Sequence, residues 1–171
     1  MRSLDIELAV VDLFDERKQL IIPNVSWGFG INYEADLMVT NGSGYLYEIE
    51  IKTSRSDMRA DLKKAVQHNC RYVKRLYFAF PEKLLEYAGE ILPDDVGLIA
   101  VYLRRDDSPK AIIKRKPKDR KDAQKMDLRK QYDLARLGAL RIWNLKRQIW
   151  SKNPKFKQVE INFKPDIFDQ I

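Results

Sequence analysis

Among its 171 residues the chain has a single cysteine, Cys70, and a single histidine, His68. One thiol excludes an intrachain disulfide and any cysteine-based zinc site. One imidazole argues against a histidine-rich metal centre or a Ser-His-Asp arrangement. A metal would therefore be held largely by carboxylates and carbonyls. No internal repeat or low-complexity tract is present. Long apolar runs are missing too, and acids interrupt the apolar start MRSLDIELAV, so neither a signal-peptide pattern nor a membrane span is visible. The default expectation is a cytoplasmic protein with no membrane partner.

What is there is charge, unevenly placed. An apolar fraction of 44% beside a charged fraction of 33% fits one folded domain with a sizeable core, so disorder is not expected. The net charge of +7 is concentrated in the C-terminal third. Between residues 104 and 157 about nineteen Lys and Arg stand against about six acids, which leaves the rest of the chain acidic. Such a division suggests a polyanion held by one part and a carboxylate-rich site in the other. A solvated helix surface would produce the same count.

Periodicity orders the elements. Leu4, Leu8, Val11 and Phe14 recur at helical spacing and predict a helix over 3–16, capped by Ser3 or Asp5, with Glu7 on the apolar stripe. A strand over 20–27 ends at GFG, residues 28–30. YEADLMVT and GYLYEIEIK are two alternating segments joined through NGSG, a hairpin signal. A helix is expected from Ser56 or Asp57 to about Cys70, buried through Met58, Leu62, Ala65 and Val66. Then come an interior strand RLYFAF, a short helix from Pro81 to about Ile91, a strand VGLIAVYL and an edge strand KAIIKRK. A long helix over 119–150 is expected to carry a stripe of Leu128, Tyr132, Ala135, Ala139, Ile142, Leu145 and Ile149. This order describes an α/β fold: a mixed sheet with helices on its faces. The core is expected over 1–116 and a basic helical extension, packed on it or projecting from it, over 117–171.

Alternation in the two hairpin strands puts Asp36 on one face with Glu34, and Glu50 and Lys52 on one face with Glu48, while Tyr47, Ile49 and Ile51 point the other way. Asp36 and Glu50 would then face the same side of strands ~5 Å apart. Carboxylates that close repel each other unless a cation lies between them, and oxygen ligands favour Mg2+ or Mn2+. Lys52, ~7 Å further along that face, can reach a phosphate or an attacking water. Such a set suits phosphodiester hydrolysis. Glu7 could complete it, because a carboxylate on an apolar stripe is costly to bury without a charge to meet it. An ordinary surface ladder of salt bridges would use the same residue types. Glu34 and Glu48 are expected to pair with Arg or Lys instead of binding metal, and His68 and Cys70 to be a polar cap and a small core residue.

As a set, this spacing resembles the PD-(D/E)XK nuclease superfamily, with Asp36 in EAD as the motif aspartate, Ala35 where proline is frequent, and Glu50-Ile51-Lys52 as acid-x-lysine. Glu7 matches the frequent acid on the first helix. The run SRSDMRADLKKA and the later RLYFAFP and PDDVGLIAVY resemble small bacterial and phage MmcB-like DNA repair proteins over roughly Asp5 to Tyr102. The resemblance implies a restriction-endonuclease-like fold and a Mg2+-dependent, or Mn2+-dependent, endodeoxyribonuclease of DNA repair, recombination or mobile-element processing. It implies a metal held by Asp36, Glu50 and the Ile51 carbonyl, with Lys52 catalytic and Glu7 auxiliary. It also implies an auxiliary role for Lys64 and for His68 one turn on. The alternatives are a nuclease-fold module that binds DNA or a complex without cleaving, and a basic structural protein.

Lys114, Arg115, Lys116, Lys118, Arg120 and Lys121 are the DNA-contact candidates, able to meet several phosphates without reading bases. The helix that follows has an apolar face with Trp143 and Trp150, which suits either packing on the core or a homodimer.

Overall fold

In a computed structural model, described here for residues 1–40, 42–62, 68 and 70–152, a six-stranded sheet is covered on both faces. The elements are α1 (Ser3–Phe14), β1 (Leu20–Val25), β2 (Ala35–Thr40), β3 (Leu46–Ile51), α2 (Arg55–Leu62), β4 (Val73–Pro81), a 3-10 turn (Glu82–Leu84), α3 (Leu85–Ile91), β5 (Gly97–Leu103), β6 (Pro109–Arg115) and α4 (Leu128–Lys152). Strand order follows the chain from β1 to β6. β1, β2 and β3 run antiparallel, β3 to β4 and β4 to β5 are parallel, and β6 returns antiparallel at the edge. Parallel neighbours cannot be joined by a tight turn, so each needs a crossover. The segment carrying α2 supplies one, and the 3-10 turn with α3 supplies the other. The compact unit formed by the sheet and its cover runs from Met1 to Gly138, and Ala139 onward forms a second unit that includes the last turns of α4.

One face packs α1 against Leu37, Val39, Ile49, Ile51, Tyr77, Ala79, Ile99 and Val101. The buried stripe of α1 is Ile6, Ala9, Val10 and Phe14. Leu4 and Leu8, expected to be inward, are half exposed at 52% and 53%. The stripe is thus rotated from the expected one, because Ile6 and Val10 fit between the β-branched residues of the sheet. The opposite face carries two clusters. Met58 of α2 joins Phe78, Phe80, Leu84, Tyr87, Ala88, Leu92, Val96 and Leu98 over β4 and β5. Ile22, Val25, Met38, Leu46, Tyr72, Met126, Leu134 and Leu137 cover the other half.

Two expectations are corrected. Residues 119–127 are not helical: after Pro117 the chain runs as a strap across the strand ends. Its N–H groups at Lys118, Arg120, Gln124 and Met126 donate to the carbonyls of Asp95, Lys74, Arg71 and Gly44 at 2.8 to 2.9 Å. Asp119 is clamped by Arg75 at 2.5 Å and Lys74 at 3.2 Å. Backbone groups spent on strand ends cannot also close helical turns. Within the first unit, α4 buries Leu134 and Leu137, whereas the expected Leu128 and Tyr132 are exposed at 84% and 64%. Leu134 and Leu137 join the cluster of Ile22, Val25 and Met38, a choice of face that sequence periodicity does not report. The expected VEINF strand lies outside the described residues. Among the described residues no helix is long and apolar enough to cross a membrane.

Candidate active site

β3 carries Glu48, Glu50 and the following Lys52 toward the face shared by α2 and α3, and that face is closed. The three are 0%, 4% and 6% exposed. The expected division into an apolar and a charged face holds for direction, but the charged side lies between two apolar clusters instead of in solvent. Burying three ionisable groups side by side is tolerable only if they meet counter-charges. They do so in a chain. Lys52 Nζ lies 2.9 Å from Glu50 Oε2 and 3.3 Å from Asp61 Oδ1. Asp61 Oδ2 is 3.2 Å from His68 Nε2, and His68 Nδ1 is 2.6 Å from Glu48 Oε1. The Tyr33 hydroxyl donates to Glu48 Oε2 at 2.9 Å.

Local structure explains how the chain closes. The Ser54 hydroxyl accepts the Asp57 N–H at 3.1 Å, and the Asp57 carboxylate accepts the Thr53 N–H at 3.0 Å, which starts α2 directly after Lys52. Met58 is the buried anchor of α2, and Asp61, three residues on, shares its inward face. Asp61 therefore comes back over the sheet to meet Lys52. The helix as described ends at Leu62, and His68 and Cys70 are not helical, contrary to the expected helix to Cys70. Ala65, Val66 and Lys64 lie outside the described residues.

Of the sequence-derived residues, Asp36 lies one step past the last pair of the β2–β3 ladder, Leu37 with Ile49. Its Oδ2 accepts the Ile51 N–H at 2.7 Å. Glu7, half-buried on α1, feels the charge of Asp36, but among the described residues no hydrogen bond or ion pair joins it to the cluster. Glu34 is exposed and takes a hydrogen bond from Asn24 at 3.1 Å instead of from Arg or Lys. Glu48, also expected to pair with Arg or Lys, pairs with His68 and Tyr33. His68 is no cap; its ring stands edge-on to Tyr33 at 5.3 Å and Phe78 at 6.1 Å. Asp61 was missed altogether, although an acid three residues after the helix's buried methionine was a readable signal.

Electrostatics follow from this enclosure. Burial raises the Glu50 carboxyl, and Asp36 and Glu48 add to it, so that despite Lys52 it reaches about 7. Burial also raises Asp36, against the pull of the Ile51 N–H and Lys52. Burial alone would lower the His68 imidazole, but its hydrogen bonds to Asp61 and Glu48 outweigh this and hold it at about 10. Lys52 is raised likewise: its burial penalty is exceeded by Glu50, Asp61 and Asp36. Asp61 is lowered, since His68 and Lys52 overcome its burial.

His68 therefore adds stability that is complete below its ordinary pKa of 6.5 and is lost as pH rises through about 10. Glu50 also loses stability as pH rises, in a lower window: its ionisation costs stability that sets in above 4.5 and is complete above about 7. In the NMR spectrum of the metal-free protein, the lone imidazole is expected to titrate near pH 10. Titration near 6.5 would contradict the Glu48–His68–Asp61 bridge.

Two donor sets for a cation share Glu50. Oxygen or nitrogen atoms of Glu48, Glu50 and His68 lie within 4.8 Å of one another. The set expected from sequence is Asp36, Glu50 and the Ile51 carbonyl. Glu50 Oε1 is buried without a hydrogen-bond partner among the described residues, which fits a seat for a positive charge. A positively charged His68 would have to release its proton to serve as a ligand.

The DNA-contact candidates divide in two. Lys116, Lys118 and Lys121 are exposed, and Lys114 pairs with Glu82 at 3.3 Å. Arg115 is spent on the carbonyls of Leu92, Pro93 and Val96 and on Asp94. Arg120 holds the His68 and Cys70 carbonyls, each at 3.3 Å. A pocket of about 270 Å3 next to Asp61 and His68 has Lys118 and Arg120 among its lining residues.

The chain is thus a mixed-sheet α/β protein with a carboxylate, lysine and histidine cluster enclosed beside a central strand. Residues 1–149 match the MmcB-like family, described as DNA repair protein MmcB-like, and the chain belongs to that family. Its fold is similar to that of the solved SPO1766 protein of unknown function from Silicibacter pomeroyi. The TM-score is 0.60 at 21% identity, with 91% of this chain and 94% of that one covered. No curated protein matches the chain.

Proposed function

We propose that the protein is a metal-dependent nuclease acting on DNA phosphodiester bonds in repair. The observation that carries this reading is the Glu50 carboxylate: one oxygen on Lys52, the other buried without a hydrogen bond and 4.0 Å from His68 Nδ1, one strand from Asp36. Asp36 and Glu50, with the Ile51 carbonyl, would hold Mg2+ or Mn2+, which when bound supplies Lewis acidity toward the phosphoryl oxygens. Lys52 would turn its ammonium toward the reacting phosphate, neutralising charge as it builds and orienting water. Asp61, bonded to Lys52 and held by His68, fixes the lysine's direction. Glu48 and Tyr33 hold His68 in turn. Glu7 adds negative charge beside Asp36 and strengthens the attraction for a cation. Lys116, Lys118 and Lys121 are available for phosphates, contacts that would position DNA without reading its sequence.

Family membership supports the DNA partner. Calorimetric titration with Mn2+ tests the metal: binding is expected in the wild type and loss of it in Glu50→Gln. Lack of heat at millimolar Mn2+, together with intact supercoiled plasmid after incubation with Mg2+ or Mn2+, would sink the nuclease reading.

A second reading has its own observation. Lys52 and His68 already neutralise Glu50, Asp61 and Glu48 pairwise, as a purely structural polar core would. In that case the protein is a non-cleaving DNA-binding module, and it would bind DNA with the usual salt dependence while leaving the plasmid uncut.

A further inference from the structure

The loop Trp27-Gly28-Phe29-Gly30 between β1 and β2 takes no part in the cluster described above, yet it is built in an unusual way. Gly28 and Gly30 adopt φ of 87° and 71°, a conformation strained for other residues, and both are exposed. Between them Phe29 turns inward, 2% exposed, its ring edge-on to Tyr72 at 6.3 Å. Two cations lie over this aromatic floor. The Lys130 ammonium is 5.6 Å from the Phe29 centroid and the Arg71 guanidinium 4.8 Å from that of Tyr72. Together with the two glycines they line an open concavity of about 450 Å3.

Both cations keep donors in reserve. Lys130 Nζ donates to the Gly28 carbonyl at 2.8 Å, one of its three N–H groups. Arg71, exposed, gives one terminal nitrogen to the Tyr72 hydroxyl at 2.7 Å out of a five-donor fork. The nearby acids are engaged: Asp133 lies 3.8 Å from Arg129 and 4.0 Å from Lys130, and Asp127 accepts the Lys130 N–H. At the loop's start Trp27 is 49% exposed, with the Arg136 guanidinium 5.9 Å from its ring. The loop also borders the candidate active site: the Cys70 thiol donates to the Phe29 carbonyl at 3.5 Å, two residues from His68.

The geometry points to a seat for single-stranded DNA, with a phosphate between Arg71 and Lys130 and an unstacked base against Trp27. This rests on the reading of DNA as partner. Paired cations with spare donors hold a phosphate through charge-assisted hydrogen bonds, and an exposed indole offers a face to any base that is not already stacked. A duplex hides its base faces, so the indole discriminates in favour of a single strand.

Fluorescence anisotropy with labelled oligo-dT and with a labelled duplex, without metal, tests the seat in the full chain. Trp27→Ala is expected to weaken oligo-dT binding roughly ten-fold, through the lost stacking, and to affect the duplex less. Arg71→Ala with Lys130→Ala is expected to reduce the salt slope on oligo-dT by about 0.7, the share of the one phosphate that the pair holds. Circular dichroism of the variants confirms folding, and Trp27→Phe, which retains an aromatic face, is expected to keep most of the affinity. Wild-type affinity in both variants would overturn the seat and leave DNA as the partner. Equal losses on duplex and single strand would overturn its single-strand character. A wild type that binds neither probe would overturn both the seat and the DNA reading.

Discussion

Lys52→Met is expected to lower metal-dependent nicking of plasmid DNA by roughly 100- to 10,000-fold, the range for a group that handles charge or a proton in the transition state. Methionine keeps the aliphatic stem in its buried slot and removes only the ammonium, so packing is disturbed less than by alanine. The loss has an electrostatic side. Lys52 at present lowers Glu50, so without it the Glu50 carboxyl moves above about 7. The variant should therefore be assayed above pH 8 and at saturating Mn2+, where failure to bind metal cannot stand in for failure of the chemical step. DNA affinity is expected to be unchanged, because Lys52 is 6% exposed and can touch only a phosphate that has entered the site. Equal nicking by variant and wild type would remove Lys52 from the mechanism and leave the ammonium a purely structural partner of Glu50 and Asp61.

The pair of hairpin strands was legible because period-two alternation and a short turn are local properties. Asp36, Glu50 and Lys52 could be placed on one side of neighbouring strands from spacing alone. What covers that side is not local. Glu48 meets Tyr33, 15 residues earlier, and His68, 20 residues later, so it read as a surface charge while it is enclosed. Asp61 escaped notice for the same reason: its partner Lys52 is nine residues earlier, across the start of a helix, and a run rich in Arg, Asp and Lys resembles a solvated face. The strap over 119–127 has helix-forming composition, and only the carbonyls of Asp95, Lys74, Arg71 and Gly44, all distant in sequence, explain why it stays extended. The rotation of α1 and α4 about their axes likewise depends on which side chains the sheet can receive.

The largest effect on stability is expected at Glu48. Glu48→Leu removes the shorter of the two hydrogen bonds of His68, at a fully buried position, and leaves the half-buried Tyr33 hydroxyl without its acceptor. Breaking one side of a buried pair costs about 3–5 kcal/mol, most of it the penalty of the charge left behind. His68 would then keep its hydrogen bond to Asp61 and the charge of Glu50 at 4.0 Å, and its pKa would fall from about 10 toward its ordinary 6.5. Stability that the wild type loses progressively between about pH 6.5 and 10 would accordingly be smaller and be lost at a lower pH in the variant. Glu48→Leu combined with His68→Phe takes away both charges and supplies apolar volume beside Phe78 and Tyr33. That pair is expected to recover most of the loss, as apolar replacement of whole buried pairs does. Urea denaturation at neutral pH measures both: a single variant within 1 kcal/mol of wild type, or a double variant no better than the single, would show that the Glu48–His68 contact does not bear the charge balance of the core.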